Sequence, residues 1–293
     1  MPGQLKEVRN RIQSVQSTQQ ITKAMKMVSA AKLRRAQDAI LQMRPYAKKL
    51  QEMLSNIVSN SEGEVGMSLA QERPVENVLL IVLTSDRGLA GAFNTNVIKL
   101  TKTVIAEKYA AQQKAGKVTI WNLGKKGYEH FTKNGYKTDA TFKDTFLHLS
   151  FENVQKIATA AMKAFEEKQF DAVEIIYSQF KNAATQRFES ERFLPIPKVE
   201  KKEGAKKADF IFDPTQAELL AELMPKILNT QLYKAVLDSN ASEHGARMTA
   251  MDKASENANE MLRNLKISYN RARQAAITTE LTEIVSGAAA LQG

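Results

Sequence analysis

The chain has 293 residues and no cysteine, with 42 Lys and Arg residues against 32 Asp and Glu residues. The lack of cysteine excludes disulfides, thiolate metal sites and thiol nucleophiles. The excess positive charge lies in residues 1–60, where eleven basic residues face three acidic ones. A segment of this kind attracts nucleic acid, an anionic surface or an acidic protein.

The sequence contains no segment that predicts membrane insertion. The longest unbroken aliphatic run, Val78–Leu83, is far too short to cross a bilayer. No apolar signal-peptide core follows Met1, and a regular pattern begins almost at once. We therefore expect an intracellular protein.

Residues 3–58 predict one long helix, since they contain no glycine after Gly3 and a single proline, Pro45. Apolar residues at heptad spacing open the segment: Leu5, Val8, Ile12 and Val15. The next apolar stripe is out of phase with them: Ile21, Met25 and Val28. We therefore predict a phase break near residues 16–20, which changes the supercoil without ending the helix. Pro45 predicts a kink.

A polar, glycine-containing linker is expected at residues 61–76, followed by an α/β domain at 77–212. Buried strands are predicted at residues 77–84, 117–122 and 171–178, with helical patterns between them. Strands that alternate with helices predict a parallel sheet covered by helices. Residues 179–199 predict a strand pair, in which Pro195 and Pro197 restrict one strand to an edge.

A second long helix is predicted from Asp213, which can cap it, to about Ser286, with an early interruption at Pro225 and a stop at Gly287. Mostly apolar or small residues recur at alternating spacings of four and three: Leu237, Ala241, His244, Met248, Met251, Ser255, Ala258, Leu262, Leu265, Tyr269, Ala272 and Ala276. This seam is typical of a coiled coil. Its predicted partner is the amino-terminal helix, which the second helix would exceed by ~30 Å.

The α/β segment offers little chemistry. Residues 86–91 and 124–127 follow strands and precede helices, where phosphate-binding loops lie, but each supplies only a Gly-x-x-Gly pattern. A turn that packs strand against helix is the favoured interpretation. His130 and His148 have no carboxylate or serine at a catalytic spacing, and the pairs Glu166–Glu167 and Glu189/Glu191 suit exposed faces. We predict no catalytic site, metal or cofactor.

Two features near the carboxyl end suggest contacts with partners. Between Met261 and Ile277 there are four basic residues and no acid, which could form a collar of positive charge with the basic amino-terminal helix. The last residues, Ile277 to Gly293, are apolar and small. An exposed helix end of this composition would be adhesive, and suits an apolar socket made by partners.

Two stretches at opposite ends of the chain resemble the gamma subunit of F-type ATP synthases. They are residues 21–35, ITKAMKMVSAAKLRR, and residues 272–290, ARQAAITTELTEIVSGAAA. The second is similar to that family's signature, and residues 84–94, TSDRGLAGAFN, also match the family. The resemblance covers nearly the whole length and favours a bacterial type of the subunit.

The resemblance implies a fold and a role. The fold is a long antiparallel coiled coil of helices 1–60 and 213–293, with a Rossmann-like α/β domain at 77–212 as the rotor foot. The role is the central-stalk rotor, which transmits torque between the membrane c-ring and the catalytic alpha/beta hexamer to couple proton or other ion flow to ATP synthesis and to regulate ATPase activity.

The implied partners are the alpha and beta subunits, the epsilon subunit and the c-ring. The catalytic sites would lie on beta, and the chain would be a peripheral protein at the cytoplasmic face of the inner membrane. Acidic segments of beta would meet the coil at residues that match the family's contact motifs: Lys23, Met25, Lys26, Arg273, Gln274, Thr278 and Glu280. Tyr233 and Lys234 match the foot region that faces the c-ring.

Two other hypotheses stay open at this point. The basic amino-terminal segment could belong to a nucleic-acid-binding coiled coil, although residues 1–45 lack aromatic side chains for stacking on bases. The α/β domain could belong to a nucleotide-dependent enzyme, although it lacks the full glycine fingerprint.

Overall fold

The computed structural model describes residues 2–60, 68–183, 185–196 and 216–292. The helices are α1 (Pro2–Asn60), α2 (Phe93–Lys108), α3 (Ala110–Lys114), α4 (Lys125–Lys133), α5 (Phe151–Glu166) and α6 (Gln216–Gln292). The strands are β1 (Val78–Leu83), β2 (Val118–Leu123), β3 (Lys137–Asp139), β4 (Ala172–Phe180) and β5 (Gln186–Leu194). Short 3-10 helices lie at Ser68–Ala70 and Thr145–His148.

The chain divides into two compact units. One is Met1–Ser29 with Arg247–Gly293, and the other is Ala30–Ala246. The first contains the amino-terminal part of α1 and the carboxyl-terminal part of α6, and the second contains the sheet. The predicted domain boundaries at residues 60, 76 and 212 stay a prediction.

The second unit is built on a five-stranded sheet in the order β3-β2-β1-β4-β5. β1 pairs in parallel with both β2 and β4, and β2 pairs in parallel with β3. This confirms the predicted parallel sheet. β5 runs antiparallel to β4 at one edge and ends at Leu194, directly before Pro195. The predicted strand pair is therefore formed by β4 itself with β5.

Alternation along β1 directs its side chains to two cores, one on each face of the sheet. Leu79, Ile81 and Leu83 join a cluster made with α5 and the amino-terminal part of α6. Val78, Leu80 and Val82 join a second cluster made with α2 and α4. All six are fully buried, which explains the almost continuous aliphatic run in the sequence.

At its carboxyl end α6 extends further than the sequence predicted. α6 continues through Gly287 to Gln292, so the predicted stop at Gly287 is wrong, and it also continues through Pro225. One glycine in a helix costs only about 1 kcal/mol relative to alanine, which cannot end a helix that good helix formers extend on both sides. The predicted start at Asp213 lies outside the described residues. β3 was not predicted, because three residues carry no readable alternation.

Residues 71–76, predicted as part of the linker, are anchored to the sheet together with Asn77 by a buried ion pair. The Arg73 guanidinium donates from Nε to Asp171 Oδ1 at 2.6 Å and from Nη2 to the Phe165 carbonyl at 2.8 Å. Asp171 Oδ2 accepts from the backbone N–H groups of Glu76 and Asn77. Burial alone would raise the pKa of Asp171, but these donors outweigh it and hold the pKa below its usual value. The stretch is therefore fixed where β1 begins.

A second buried acid, Asp238 on α6, has its pKa raised to about 6. Burial is the main cause, and the positive charges of Lys234 and Arg44 offset only part of it. The folded protein thus holds this proton between about pH 4 and pH 6 while the unfolded chain has lost it. The group's contribution to stability is greatest at low pH and is lost as the pH rises through 6.

We expect Asp238→Asn to remove this dependence. Asparagine carries no charge to desolvate, so the unsubstituted protein loses stability as Asp238 ionises and the variant does not. The unfolding free energy of the variant minus that of the unsubstituted protein should therefore be about 2 kcal/mol larger at pH 7 than at pH 4.5. Urea unfolding of both proteins at the two pH values measures the difference, in which all other titrating groups cancel. A difference that does not change with pH would contradict the assignment.

Candidate functional site: the paired terminal helices

The first half of α1 has an unbroken heptad of covered positions. Buried or half-buried residues recur at spacings of three and four, with Met25 also half-buried beside Lys26: Leu5, Val8, Ile12, Val15, Gln19, Thr22, Lys26 and Ser29. Ile21 and Val28, predicted for the seam, are 59% and 57% exposed. The predicted phase break near residues 16–20 is therefore wrong, because polar residues continue the seam where the apolar stripe departs from it.

The seam predicted on α6 is confirmed. From Met248 to Ala276 every predicted seam position is buried or half-buried. Between Asn259 and Gln274 the residues that flank these positions are all exposed. This pattern requires a partner helix along one narrow stripe.

Contacts between the two helices define an antiparallel pair in constant register. Arg9 Nη2 donates to Tyr269 Oη at 3.0 Å, and Lys26 Nζ lies 2.5 Å from Asp252 Oδ1. Between these two contacts the position rises by 17 on α1 and falls by 17 on α6. The helices therefore run in opposite directions without slippage.

Of the predicted amino-terminal contact residues, Lys23 is exposed, Met25 is half-buried and Lys26 occupies a seam position. The Lys26 ammonium forms its ion pair within the coil, with the side chains of Lys26 and Asp252 41% and 46% exposed. Lys23 makes no ion pair or hydrogen bond with the described residues. It is thus the more accessible cation for a carboxylate from outside.

The carboxyl-terminal set, Arg273, Gln274, Thr278 and Glu280, is exposed on α6. Thr278 Oγ1 donates to the Gln274 carbonyl at 3.0 Å, a bond internal to the helix. Because Lys26 lies beside Asp252, Arg273 is 21 residues further along α6, or roughly 30 Å at ~1.5 Å per residue. The structure therefore does not bring the two sets together, and they form separate bands on the coil.

The end of α6 extends past the start of α1. In the observed register the first residue of α1 lies near residue 276, so residues 277–292 overhang by ~24 Å at ~1.5 Å per residue. Large apolar side chains on this overhang are 49–67% exposed: Ile277, Leu281, Ile284 and Val285. A water-exposed apolar helix end of this size is typical of a segment that binds a partner.

A positively charged band lies just before this overhang. The register places Lys6–Arg11 of α1 opposite residues 267–272 of α6, within the stretch Arg263–Arg273, and together Lys6–Arg11 and Arg263–Arg273 hold seven basic residues and one acid. All seven basic side chains are exposed. Arg9 also lies over the Tyr269 ring, 5.9 Å from its centre. The predicted collar of positive charge is consistent with this arrangement.

The proposed foot residues lie in the second unit. Tyr233 is half-buried against the sheet's core, with its ring 5.2 Å from that of Phe151 in an edge-on contact. Lys234 is exposed, and its charge lowers the pKa of Asp238. Tyr233 therefore stabilises the fold, which leaves Lys234 as the more accessible member of the pair.

The loops after β1 and β2 contact each other at the start of α4. The first three N–H groups of α4 donate to protein oxygens: Lys125 to Asp86 Oδ1, Lys126 to the Ser85 carbonyl and Gly127 to Thr84 Oγ1. A phosphate at this helix end would have to displace all three bonds. The interpretation as a packing turn is favoured over the phosphate-binding loop.

The part of the chain that the structure describes has no helix with the length and apolar character needed to span a bilayer. Nor does it contain a group of three or more His, Asp and Glu residues placed to hold a metal ion.

The polar seam residues were missed by sequence reasoning. Gln19 donates to Asn259, Thr22 Oγ1 lies 2.7 Å from Ser255 Oγ, and Ser29 is buried. The signal that could have found them was their spacing alone, because it continues the heptad from Leu5 without a gap. Hydropathy instead favoured the neighbouring apolar residues.

Comparisons with known proteins agree on one family. The sequence model of the ATP synthase family matches residues 4–291. The ATP synthase gamma chain of Cytophaga hutchinsonii is 53% identical over 294 residues, and that of Flavobacterium johnsoniae is 53% identical over 289, each alignment covering 99% of both chains. The gamma chain of Chlorobium phaeobacteroides is 48% identical over 291 residues, again with 99% coverage of both chains.

Solved structures share the fold. One chain in a structure of the Euglena gracilis mitochondrial ATP synthase, comprising OSCP, F1 and the c-ring, has a TM-score of 0.68 at 20% identity, covering 99% of this chain and 95% of that one. A chain of the rotor of the same enzyme has a TM-score of 0.64 at 20% identity, covering 94% and 100%.

The fold and the paired helices define an α/β protein whose two terminal helices form an antiparallel coil with an overhanging apolar end. Full-length identity near one half and the family match then assign it: the chain belongs to the ATP synthase gamma chain family. This favours the rotor hypothesis over the nucleic-acid-binding coil and the nucleotide-dependent enzyme.

Proposed function

We propose that this chain is the central-stalk rotor of an F-type ATP synthase and transmits torque along the coil of α1 and α6. The observation that carries the proposal is the antiparallel coil with its overhanging apolar end. Two paired helices resist bending and twisting better than one, and torque transmission needs that stiffness. The overhang gives the coil a free end that can turn in a surrounding socket.

The partners proposed for the coil are the alpha and beta subunits of the catalytic hexamer. Exposed charges suit a surface that must turn past its neighbours, because solvent-exposed ion pairs contribute only about 0–1 kcal/mol and are screened by salt. The positively charged band would face acidic segments of beta, and the apolar overhang would lie in an apolar bearing. The epsilon subunit and the c-ring are the partners proposed for the α/β unit, by which we mean the domain predicted at residues 77–212.

The proposed role includes no chemistry on this chain. ATP would be made or hydrolysed at sites on the beta subunits, while this chain couples their changes of shape to proton or other ion flow. The location that follows is the cytoplasmic face of the inner membrane, with the chain held there as a peripheral subunit through the c-ring.

A reconstitution experiment tests the proposal. The chain is mixed with alpha and beta subunits from a close relative, and Lys133→Cys on α4 provides the sole thiol for a gold nanorod. We expect ATP-dependent rotation of the rod, and no ATPase activity from the chain alone. Hydrolysis by the assembled complex while the rod stays still would refute the rotor role.

Charge reversal on the coil separates coupling from assembly. Lys23→Glu changes an exposed cation that has no partner among the described residues, so the coil should stay intact. We expect coupled ATP synthesis to fall about two- to fivefold, the size that follows from losing a contact of about 0.5–1 kcal/mol. ATP synthesis and ATPase rates in reconstituted vesicles measure coupling, and gel filtration measures assembly.

Lys26→Glu provides the comparison, because it also places a carboxylate beside Asp252. This variant should weaken the coil as well as coupling, and Asp252→Lys in the same chain should restore the coil but not the coupling. If either single variant loses assembly while the complex that does form couples normally, the contact assignment is wrong.

A further inference from the structure

Two sets of neighbouring residues on α1, one polar and one apolar, could occupy the seam between residues 19 and 29. The seam is occupied by Gln19, Thr22, Lys26 and Ser29, of which Thr22 and Ser29 are 8% and 3% exposed. The outer stripe consists of Ile21 and Val28, which are more than half exposed, and Met25, which is half-buried at the edge of the seam. Hydrophobic burial alone would exchange the two.

The exchange needs a rotation of about 100°. Each residue of an α-helix turns by about 100°, and the outer stripe lies one residue before Thr22, Lys26 and Ser29. Turning this part of α1 by one residue would bring the whole outer stripe into the seam. That rotated state is the phase break which the apolar pattern of the sequence predicts.

Three contacts between the helices oppose the rotation. The polar pairs are Gln19–Asn259, Thr22–Ser255 and Lys26–Asp252. Hydrogen bonds and ion pairs depend on direction as well as distance, so a turn of one residue would break all three. It would also place apolar side chains against Ser255, which is 6% exposed and would keep only its bond to the Met251 carbonyl.

The flanking seam also favours the observed phase. Leu5, Val8, Ile12 and Val15 are half-buried in the same heptad that reaches Ser29. A rotation confined to residues 19–29 would have to be introduced after Val15, which strains the helix against its supercoil. The polar residues let one heptad run without a break.

We propose that the polar pairs act as a phase lock, which holds α1 in the rotational setting that keeps the outer stripe on the surface of the coil. Polar layers in coiled coils are known to select one arrangement at a cost in stability. Here the selected property is the rotation of α1 about its own axis. The lock thereby preserves an apolar face outside the seam.

The accessibility of an introduced thiol measures how α1 is rotated about its own axis. The natural chain has no cysteine, so a single introduced thiol is unique. Val28→Cys reports the outer stripe and Ser29→Cys reports the seam, each as a single substitution in the full-length chain. In the locked coil, maleimide should label the thiol at position 28 at least about tenfold faster than the thiol at position 29.

The unlocked variant changes α6 only: Asp252→Ala, Ser255→Ala and Asn259→Ala. The matched control carries three alanines at exposed positions of the same helix: Glu256→Ala, Asn257→Ala and Glu260→Ala. We expect the ratio of the two labelling rates to fall at least about tenfold in the unlocked variant and to stay unchanged in the control.

An unlocked variant that keeps its helical circular dichroism and the original labelling ratio would overturn the proposal. If the triple variant loses helix, Asp252→Ala alone is tested instead. The ratio of its labelling rates at positions 28 and 29 must then fall. The reversed pair, Lys26→Asp with Asp252→Lys, must then restore the original ratio, and failure to do so also counts against the lock.

Discussion

Gly124→Ala lowers the unfolding free energy of the α/β unit by about 4 kcal/mol or more, the largest effect expected of a single substitution here. Gly124 precedes α4 with φ of 115°, a conformation that L side chains rarely adopt. A Cβ at this position would lie 2.1 Å from the Thr84 carbonyl oxygen, closer than real Cβ contacts come. Either the loop or the end of β1 must move.

The matched control is Gly116→Ala. Gly116 has φ of 69°, and an added Cβ would meet nothing within 4 Å. It therefore isolates the conformational cost, which should be about 1 kcal/mol. Urea unfolding of the three proteins, followed by circular dichroism, provides the comparison. If both variants lose the same unfolding free energy, the close approach to Thr84 adds nothing to the cost of Gly124→Ala.

Close packing explains why this loop resembles a phosphate site in the sequence. Glycine after a strand and before a helix is required both where a phosphate approaches the backbone and where a neighbouring strand end does. At Gly124 the Thr84 carbonyl takes that space. A single sequence cannot separate the two causes, because both demand the same residue at the same place.

The coil shows where hydrophobic periodicity succeeds and where it fails. The seam of α6 was predictable because its apolar and small residues alternate at four and three from Leu237 to Ala276. The seam of α1 was predictable as far as Val15. Beyond it, polar residues on one helix are stabilised in the seam by polar residues on the other, such as Thr22 by Ser255. A pattern read on one helix does not contain that information.

The candidate contacts were predictable as exposed positions but not as neighbours. Arg273 and Lys23 differ in level on the coil because the register, set by contacts such as Lys26 with Asp252, was not readable from either helix alone. Lys26 and Lys23 look equivalent in the sequence. Only the pairing shows that one cation has a partner in the coil and the other is exposed.

The α/β unit likewise has features that a local sequence pattern predicts and features that depend on residues far away in the chain. Its parallel pairing follows from the alternation of strands with helices and was predicted from the sequence, whereas the strand order β3-β2-β1-β4-β5 was not. The short strand β3, at Lys137–Asp139, has no apolar pattern and forms because β2 offers it an edge. The anchoring of residues 71–77 depends on Asp171, about a hundred residues later, which no local pattern reveals.

Arg73→Ala should lower the unfolding free energy by about 3 kcal/mol, because it leaves the Asp171 carboxylate without its charged partner. The side chains of Arg73 and Asp171 are only 17% and 10% exposed, and Arg73 also covers the Phe165 ring at 4.3 Å. Loss of the guanidinium would raise the pKa of Asp171 towards its ordinary value, so the variant should lose less stability than the unsubstituted protein as the pH falls, and the difference between the two should narrow in acid.

Lys117→Ala provides the control for this anchor. Lys117 pairs with Glu76 at 2.8 Å, but their side chains are 43% and 66% exposed. Solvent screening limits such a pair to at most about 1 kcal/mol, although it joins the same stretch of chain to β2. Urea unfolding at neutral pH should therefore separate the two variants by about 2 kcal/mol or more.

The loss of unfolding free energy in Arg73→Lys should fall between those of Arg73→Ala and Lys117→Ala. An ammonium group keeps the charge but cannot contact Asp171 and the Phe165 carbonyl with separate nitrogens. If Arg73→Ala costs no more than Lys117→Ala, the buried pair does not hold residues 71–77 against the sheet.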